Sequence, residues 1–231
     1  MHIGLIGGIG VAATLVYYQR LTATVEALGG GLQLTIVHAD VHELIRNNMA
    51  DNRAAQAAAY LPLLERLKAA GADCAAITSL GGHFCFEETR VASPLPLVSA
   101  VTPLDAFFQA EGLKRVGLLG TRVVMRTRLY GQLRETEAVA LDDELDALGQ
   151  CYQDMAVRGE ATERDEQTFV SAGHRLVKEH GAEAVVLAGT DLGLVFKGIA
   201  PGYRVIDALD VHVDVLAKLA TGQMILTDAT A

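Results

Sequence analysis

The chain has 231 residues, of which 51% are hydrophobic and 20% are charged, and its formal net charge at pH 7 is −9. This length is enough for one large domain or two small ones, each with a buried core. The negative charge and the dispersed Lys and Arg residues argue against binding to the phosphate backbone of nucleic acid, so the expected partner is a small molecule.

The chain begins with a strand-like segment, Met1–Ile6. This segment does not show the basic region, the long apolar run and the cleavage site that mark a secretory signal. No run reaches 18 uninterrupted apolar residues, so we expect no membrane span and a cytoplasmic protein. The three cysteines, Cys74, Cys85 and Cys151, form no CxxC pair and are odd in number. This pattern fits neither a disulfide framework nor a structural zinc site, and we expect no bound metal.

Short apolar segments alternate with segments of helical period along the chain, which is typical of βαβ units and a parallel sheet. The predicted strands are His2–Ile6, Leu32–His38, Cys74–Thr78, Leu97–Ser99, Arg115–Leu119, Ala184–Ala188 and Arg204–Ile206. Between them lie amphipathic segments such as Ala54–Ala70, where Pro62 favours a kink.

The sequence repeats itself weakly. Gly4–Gly8 recurs 113 residues later as Gly117–Thr121, and Gly71–Ser79 recurs 110 residues later as Gly181–Gly189. Two matches at nearly the same offset indicate a duplication, and the offset is far longer than the period of a solenoid. We therefore expect an α/β protein of two pseudo-symmetric lobes, each a parallel sheet flanked by helices, with the ligand cleft between them.

The boundaries of the two lobes follow from prolines and from the last helix. Pro94, Pro96 and Pro103 mark the expected crossing, and the helix-like segment Val211–Leu219 returns to the first lobe. The first lobe is thus predicted over residues 1–100 plus about 208–231, and the second over residues 101–207. Ligands of parallel α/β sheets lie beyond the carboxyl ends of the strands, so Thr78-Ser79 and Gly189-Thr190-Asp191 are expected at the ligand.

A glycine-rich turn follows the first strand. Its segment Gly8–Ala13 matches the pattern G-x-G-x-x-A between a strand and a helix, which is one feature of a dinucleotide-binding fold. The same turn also suits a small anion, because it presents backbone N–H groups and the positive end of a helix dipole to a carboxylate or phosphate. A tight turn without a ligand is the third interpretation.

The order of several motifs resembles the aspartate/glutamate racemase family, in its broad-specificity amino-acid racemase branch, over about residues 1–220. The matching segments are Gly4–Gly10 with Thr14 and Tyr17, Asp40–Glu43, Gly71–Asp73, Thr78–His83, Gly117–Thr121, Tyr130, Leu187–Asp191 and Val205–Asp207. The resemblance implies a two-lobed fold and the transfer of an α-proton of an amino acid by two cysteines, without pyridoxal phosphate or another cofactor.

The family's cysteine motifs read Cys-Asn-Thr-x-His and Gly-Cys-Thr-Glu. They correspond here to Ser79–His83 and Ala188–Asp191, so the resemblance places Ser79 and Gly189 at the two cysteine positions. A serine hydroxyl is a far weaker acid than a thiol and needs a neighbouring base, while glycine has no side chain. A symmetrical reaction with two thiols therefore does not fit this sequence.

Other polar residues at the strand ends are candidates for the chemistry. The predicted catalytic residues are Ser79, Asp191 and His83, because a desolvated carboxylate or a histidine can exchange protons near neutral pH. The alternative roles are a helix N-cap for Asp191 and packing or capping for His83. Cys85, on a predicted helix, is a less favoured thiol candidate, and Cys74 is expected in the core.

Binding residues are predicted where hydroxyls, amides and backbone N–H groups are expected near the ligand. The predicted substrate-binding residues are Gly8, Ile9, Arg46, Asn48, Thr78, Thr121, Tyr130, Gly189 and Thr190. Arginine can bind a carboxylate through two hydrogen bonds, although an exposed arginine is more often only solvated.

The resulting hypothesis is a cofactor-independent racemase or isomerase that transfers a proton α to the carboxylate of an amino acid or small carboxylic acid, with an altered site lacking both thiols. The alternatives are a catalytically inactive homologue that binds a metabolite, and a lyase or decarboxylase variant. The resemblance also implies a homodimer that pairs through the first lobe.

Overall fold

The computed structural model describes residues 1–8 and 10–230, without the side chains of residues 228 and 230. The chain divides into two compact units. Unit 1 consists of Met1–Ala100 and His212–Ala231, and unit 2 consists of Val101–Val211. Ile9, one of the predicted binding residues, lies outside the described residues.

Unit 1 contains one four-stranded parallel sheet in the order β2-β1-β3-β4. Its elements in chain order are β1 His2–Gly7, α1 Val11–Ala27, β2 Gln33–His38, α2 Val41–Met49, α3 Arg53–Ala69, β3 Cys74–Ile77, a short 3-10 helix Gly81–Cys85, α4 Phe86–Ala92 and β4 Leu97–Val98. At the end of the chain it also contains α10 Ala208–Ala220 from His212 onward, and α11 Leu226–Thr230.

Unit 2 contains a second parallel sheet, in the order β6-β5-β7-β8. Its elements are α5 Thr102–Ala110, β5 Arg115–Gly120, α6 Arg122–Arg126, a 3-10 turn Leu129–Gly131, β6 Glu137–Val139, α7 Leu145–Arg158, α8 Glu163–His180, β7 Ala184–Ala188, a 3-10 turn Thr190–Leu192, α9 Gly193–Phe196 and β8 Val205–Asp207. The predicted class, α/β with two parallel sheets flanked by helices, is confirmed.

The two sheets share one packing detail that explains the repeated glycines. Gly4 of β1 pairs with Ala75 of β3, and Gly117 of β5 pairs with Val185 of β7. A Cβ at Gly4 would lie 2.9 Å from the Leu67 side chain of α3, and a Cβ at Gly117 would lie 2.8 Å from Leu176 of α8. The absence of a side chain thus lets a helix pack closely on the central strand in each unit.

The helices are amphipathic, and their apolar faces form the cores. The buried residues of α1 recur every four positions as Ala13, Tyr17, Leu21 and Val25. The strands β3 and β7 are buried along their whole length, as expected for a parallel sheet covered on both faces. The edge strand β2 is half-exposed.

Several predicted strands differ by one residue at an end, and three other differences from the sequence-based elements follow. Strand β6, Glu137–Val139, was not predicted, because a three-residue edge strand is too short to produce a clear alternation of polar and apolar residues. The last long helix begins at Ala208, three residues before the predicted start, and Pro62 lies inside the continuous helix α3. None of the helices in the described ranges is long and apolar enough to cross a membrane.

Candidate functional site

Polar residues follow the carboxyl ends of the two central strands in each unit. In unit 1 these are the glycine turn after β1 and Thr78-Ser79 after β3, and in unit 2 they are Thr121 after β5 and Thr190-Asp191 after β7. Parallel α/β sheets bind their ligands at this edge. Each unit therefore has a candidate ligand-binding edge of its own.

The glycine turn of unit 1 depends on conformations that a side chain would disturb. Gly8 has a φ of 150° and a Cβ there would lie 2.8 Å from the Ala39 carbonyl oxygen. Gly10 is the left-handed N-cap of α1, with a φ of 77°, and no side chain among the described residues caps this helix. The first N–H groups of a 17-residue helix thus have no side-chain acceptor, and such groups attract anions.

A pair of threonine hydroxyls lies beside this turn. Thr78 Oγ1 donates to the Ile6 carbonyl at 3.0 Å, and Thr14 Oγ1 is 3.0 Å from Thr78 Oγ1. Thr78 is buried. The pair joins the ends of β1 and β3 to the first turn of α1, so it fixes the backbone that would face a ligand.

Ser79 is buried and is held by its own turn. Its hydroxyl oxygen accepts a hydrogen bond from the Gly82 N–H at 3.3 Å, and its carbonyl oxygen accepts one from His83 Nδ1 at 2.7 Å. Asn48 of α2 contributes to the same turn by donating from Nδ2 to the Gly81 carbonyl at 2.9 Å. No histidine nitrogen or carboxylate within the described ranges forms a hydrogen bond with the Ser79 hydroxyl, so this hydroxyl has no activating base of its own.

Both ring nitrogens of His83 are engaged with the backbone. Nε2 accepts from the Ala100 N–H at 3.0 Å, so the ring proton is on Nδ1 and is donated to Ser79. The ring stacks on Phe86 at 5.2 Å and meets the ring of His212 edge-on at 6.5 Å. Burial lowers the pKa of His83 to about 4 and the pKa of His212 to about 3, although a hydrogen bond to Ser79 acts in the opposite direction on His83. His83 is therefore neutral at pH 7.

Two further predicted binding residues lie on elements that follow the strands β2 and β5 along the chain. Arg46 is exposed in the last turn of α2, and because it is two residues from Asn48 it faces a different side of the helix. Tyr130 lies in a turn in which Arg128, Leu129 and Tyr130 all have left-handed φ angles of 52°, 57° and 61°. Such a run is strained, and the two hydrogen bonds from Arg128 to Asp142, at 2.8 and 2.9 Å, help to hold it.

The end of β7 in unit 2 contains a buried carboxylate. Asp191 is 1% exposed, and the Tyr152 hydroxyl of α7 donates to its Oδ2 at 3.0 Å. Burial and the charge of Asp191 raise the pKa of Tyr152 well above its ordinary value, so the phenol stays protonated and remains a donor. Thr190 lies next to the same phenol and is also buried. Sequence reasoning missed Tyr152, because nothing in an amphipathic helix marks one tyrosine as the partner of a distant aspartate.

The positions of Thr121 and Gly189 explain how the two strand ends of unit 2 fit together. Thr121 caps α6 by accepting from the Val124 N–H at 3.3 Å. A Cβ at Gly189 would lie 3.0 Å from the Gly120 Cα, and a Cβ at Gly120 would overlap the Ala188 carbonyl oxygen. The glycines at 120 and 189 thus allow the ends of β5 and β7 to lie in direct contact. Thr121 and Thr190 follow these two adjacent ends.

The pKa of each of the three thiols is raised. Burial raises the pKa of Cys74 to about 12 and that of Cys85 to about 11. Burial and the Asp165 carboxylate raise the pKa of Cys151 to about 11. All three are therefore protonated at neutral pH, and none has the environment of a reactive thiolate. No cluster of three or more metal-binding side chains occurs in the part of the chain that the structure describes.

A family model described as Asp/Glu/Hydantoin racemase matches residues 6–216. The chain belongs to this family. The family match therefore confirms the resemblance drawn from the sequence motifs. The matched range includes the glycine turn, Ser79 and Asp191, so all the strand ends described above lie within it.

Solved structures of racemases of this family show the same fold. A protein from Yersinia pestis assigned to the Asp/Glu racemases is 24% identical, with a TM-score of 0.80 over 95% of this chain and 99% of that chain. An aspartate racemase homologue from Pyrococcus horikoshii OT3 is 23% identical, with a TM-score of 0.75 over 95% and 98%. Aspartate racemase from Picrophilus torridus is 20% identical, with a TM-score of 0.77 over 95% and 94%.

We expect this racemase-family protein to lose stability on acidification through His83. The unfolded chain takes up a proton on this ring near the ordinary pKa of 6.5, whereas the folded chain does so only near 4, so stability falls as the pH drops through that window. The complete loss from this ring is about 3 kcal/mol. Urea unfolding at pH 7, 5.5 and 4 measures it.

His83→Gln should reduce this loss, because glutamine can still donate and accept but does not titrate. His42→Gln, at an exposed histidine of α2, serves as the matched control and should keep the wild-type pH dependence. An equal pH dependence in wild type and His83→Gln would show that protonation of His83 does not govern acid stability.

Proposed function

We propose that this chain is a cofactor-independent racemase or isomerase that transfers a proton at the carbon next to the carboxylate of an amino acid or small carboxylic acid. The observation that supports it most is the buried Asp191 at the end of β7, held by the Tyr152 hydroxyl. Carboxylates in such surroundings serve as proton-transfer groups in many enzymes. Membership of a racemase family supports the same reaction class.

The step assigned to Asp191 is the removal of the α-proton. The substrate C–H bond breaks, its electron pair delocalises into the adjacent substrate carboxylate, and the proton forms an O–H bond on Asp191. Return of a proton to the carbon completes racemisation or isomerisation. The raised pKa values of Cys74, Cys85 and Cys151 support a reaction that does not use a thiolate as the base.

Unit 1 is assigned to binding. The uncapped first turn of α1, after the left-handed Gly10, offers backbone N–H groups to the substrate carboxylate. The hydroxyls of Thr14 and Thr78 stabilise this turn. His83 has both ring nitrogens in hydrogen bonds, so its role in the proposal is to hold the Ser79 carbonyl and the Ala100 N–H rather than to exchange protons with the substrate.

A second candidate function is the binding of a metabolite without its conversion. The observation in its favour is that the Ser79 hydroxyl receives a hydrogen bond from the Gly82 N–H while the nearest histidine is neutral and fully engaged. A site with one proton-transfer group of this kind on only one unit could retain binding and lose turnover.

The test is proton NMR in D₂O with a panel of D- and L-amino acids and small dicarboxylates. Wild type is expected to exchange the α-proton of at least one compound, and Asp191→Asn is expected to slow that exchange by about 100-fold or more because it removes the base. Asp154→Asn, which changes an exposed carboxylate of α7 bonded to Gln150, should leave the rate unchanged.

Three other outcomes separate the alternatives. Stabilisation of the fold by a compound that shows no exchange favours the binding protein. Consumption of a compound with loss of carbon dioxide favours a decarboxylase. Equal exchange by wild type and Asp191→Asn would remove Asp191 from the mechanism.

We also propose that the protein is a homodimer that pairs through α1. Val11, Leu15 and Tyr18 form an exposed apolar ridge at the helical spacing, with exposed fractions of 54%, 58% and 51%. The resemblance to racemases that pair through the first lobe supports a second copy as its partner. A two-fold dimer would place the same ridge of both copies in contact.

Sedimentation velocity tests this pairing. Wild type should sediment as a dimer, and Leu15→Glu should sediment as a monomer because it buries a charge in the ridge. Val157→Glu, at an apolar residue of unit 2 that is 62% exposed, is the control and should remain dimeric. A monomeric wild type, or a dimeric Leu15→Glu, would contradict the proposal.

A further inference from the structure

The Tyr152 ring occupies the space that a side chain at residue 189 would need. A Cβ built on Gly189 would overlap Cε2 of Tyr152 and would lie 2.8 Å from its Cζ. Tyr152 is 4% exposed, so its ring is enclosed by other residues and has little room to move aside. A side chain at 189 and the aromatic ring at 152 therefore exclude each other.

The hydroxyl of the same ring reaches the buried carboxylate two residues further along the chain. Tyr152 donates to Asp191 Oδ2 at 3.0 Å, and the Asp191 N–H approaches the phenol oxygen at 3.5 Å. A carboxylate that is 1% exposed requires hydrogen-bond donors to offset the loss of hydration. The phenol supplies such a donor and reaches the position only because residue 189 is glycine.

We propose that Tyr152 takes the place of a side chain at residue 189 and acts as the positioning residue that holds the Asp191 carboxylate. This role deepens the proposed function, which assigns the proton transfer to Asp191. The phenol keeps its proton and orients Asp191, while Asp191 exchanges protons with the substrate.

Unit 2 offers a matched control for this pair. Tyr203 is a second tyrosine packed against a glycine, since a Cβ at Gly173 would overlap its hydroxyl oxygen. Its hydroxyl donates to the Val170 carbonyl at 3.2 Å instead of to a side chain. Substitutions at Tyr203 and Gly173 therefore reproduce the steric and hydrogen-bond changes without touching Asp191.

The steric part is tested by urea unfolding of the full chain. Gly189→Ala should lower the unfolding midpoint in wild type and lower it by less than half as much in the Tyr152→Ala background, because the ring is then absent. Gly173→Ala should keep its full effect in the Tyr152→Ala background. An effect of Gly189→Ala that is the same in both backgrounds would overturn the assignment of the ring to that space.

The hydrogen bond between Tyr152 and Asp191 is tested by a second double-mutant cycle, which does not require the Tyr152→Ala protein. Tyr152→Phe keeps the ring and removes one hydrogen-bond donor from the buried carboxylate, so combining it with Asp191→Ala should cost clearly less stability than the sum of the two single changes. Tyr203→Phe combined with Asp191→Ala should be additive. Additive behaviour of the Tyr152 pair would overturn the assignment.

Exchange kinetics then separate positioning from packing. Tyr152→Phe should reduce kcat for α-proton exchange by about tenfold or more with KM within about twofold, and Tyr203→Phe should leave both values unchanged. Coupling in the two unfolding cycles with no exchange by wild type would support the Tyr152–Asp191 assignment and refute the proposed function. Exchange by wild type with an unchanged kcat in Tyr152→Phe would refute the positioning role and leave the proposed function in place.

Discussion

Asp191 is a carboxylate that is almost completely removed from water, and its burial is the constraint on which the local structure of unit 2 depends. Burying a carboxylate without donors is strongly unfavourable, so the fold must bring donors to the end of β7. The Tyr152 hydroxyl is one of them. Its access requires glycine at 189, and the direct contact of β5 with β7 requires glycine at 120. The buried carboxylate thus accounts for the glycine at 189 and for the position of a tyrosine on another helix.

The polar groups at the equivalent strand end of unit 1 form a different arrangement. Its polar groups are neutral and satisfy one another: Thr78 donates to Ile6, and His83 links Ser79 to Ala100. The low pKa of His83 follows from this burial and prevents it from carrying a charge at pH 7. The strand ends of the two units therefore differ in chemistry although the two sheets share one topology. The proposed function accounts for this asymmetry, because it assigns binding to unit 1 and proton transfer to unit 2.

Much of the fold could be predicted from the sequence, because apolar strands and amphipathic helices leave local patterns and because Gly4 and Gly117 mark the same packing position in the two sheets. The strand β6 could not, since three residues carry too little pattern. The strand-end residues Thr78, Ser79 and Asp191 were predictable from topology alone. Tyr152 was not, because its contact with Asp191 joins residues 39 positions apart, and local periodicity carries no information about such pairs.

We expect any proton transfer by this protein to be independent of thiols. The most direct measurement is the rate of α-proton exchange by a variant that lacks all three cysteines, Cys74→Ala, Cys85→Ala and Cys151→Ala, with its fold checked by thermal unfolding. The variant should exchange within about threefold of the wild-type rate, because the raised pKa values keep all three thiols protonated. If a folded variant loses exchange and recovers it when one of the three cysteines is restored, a thiol is the reacting group and the proton transfer depends on it.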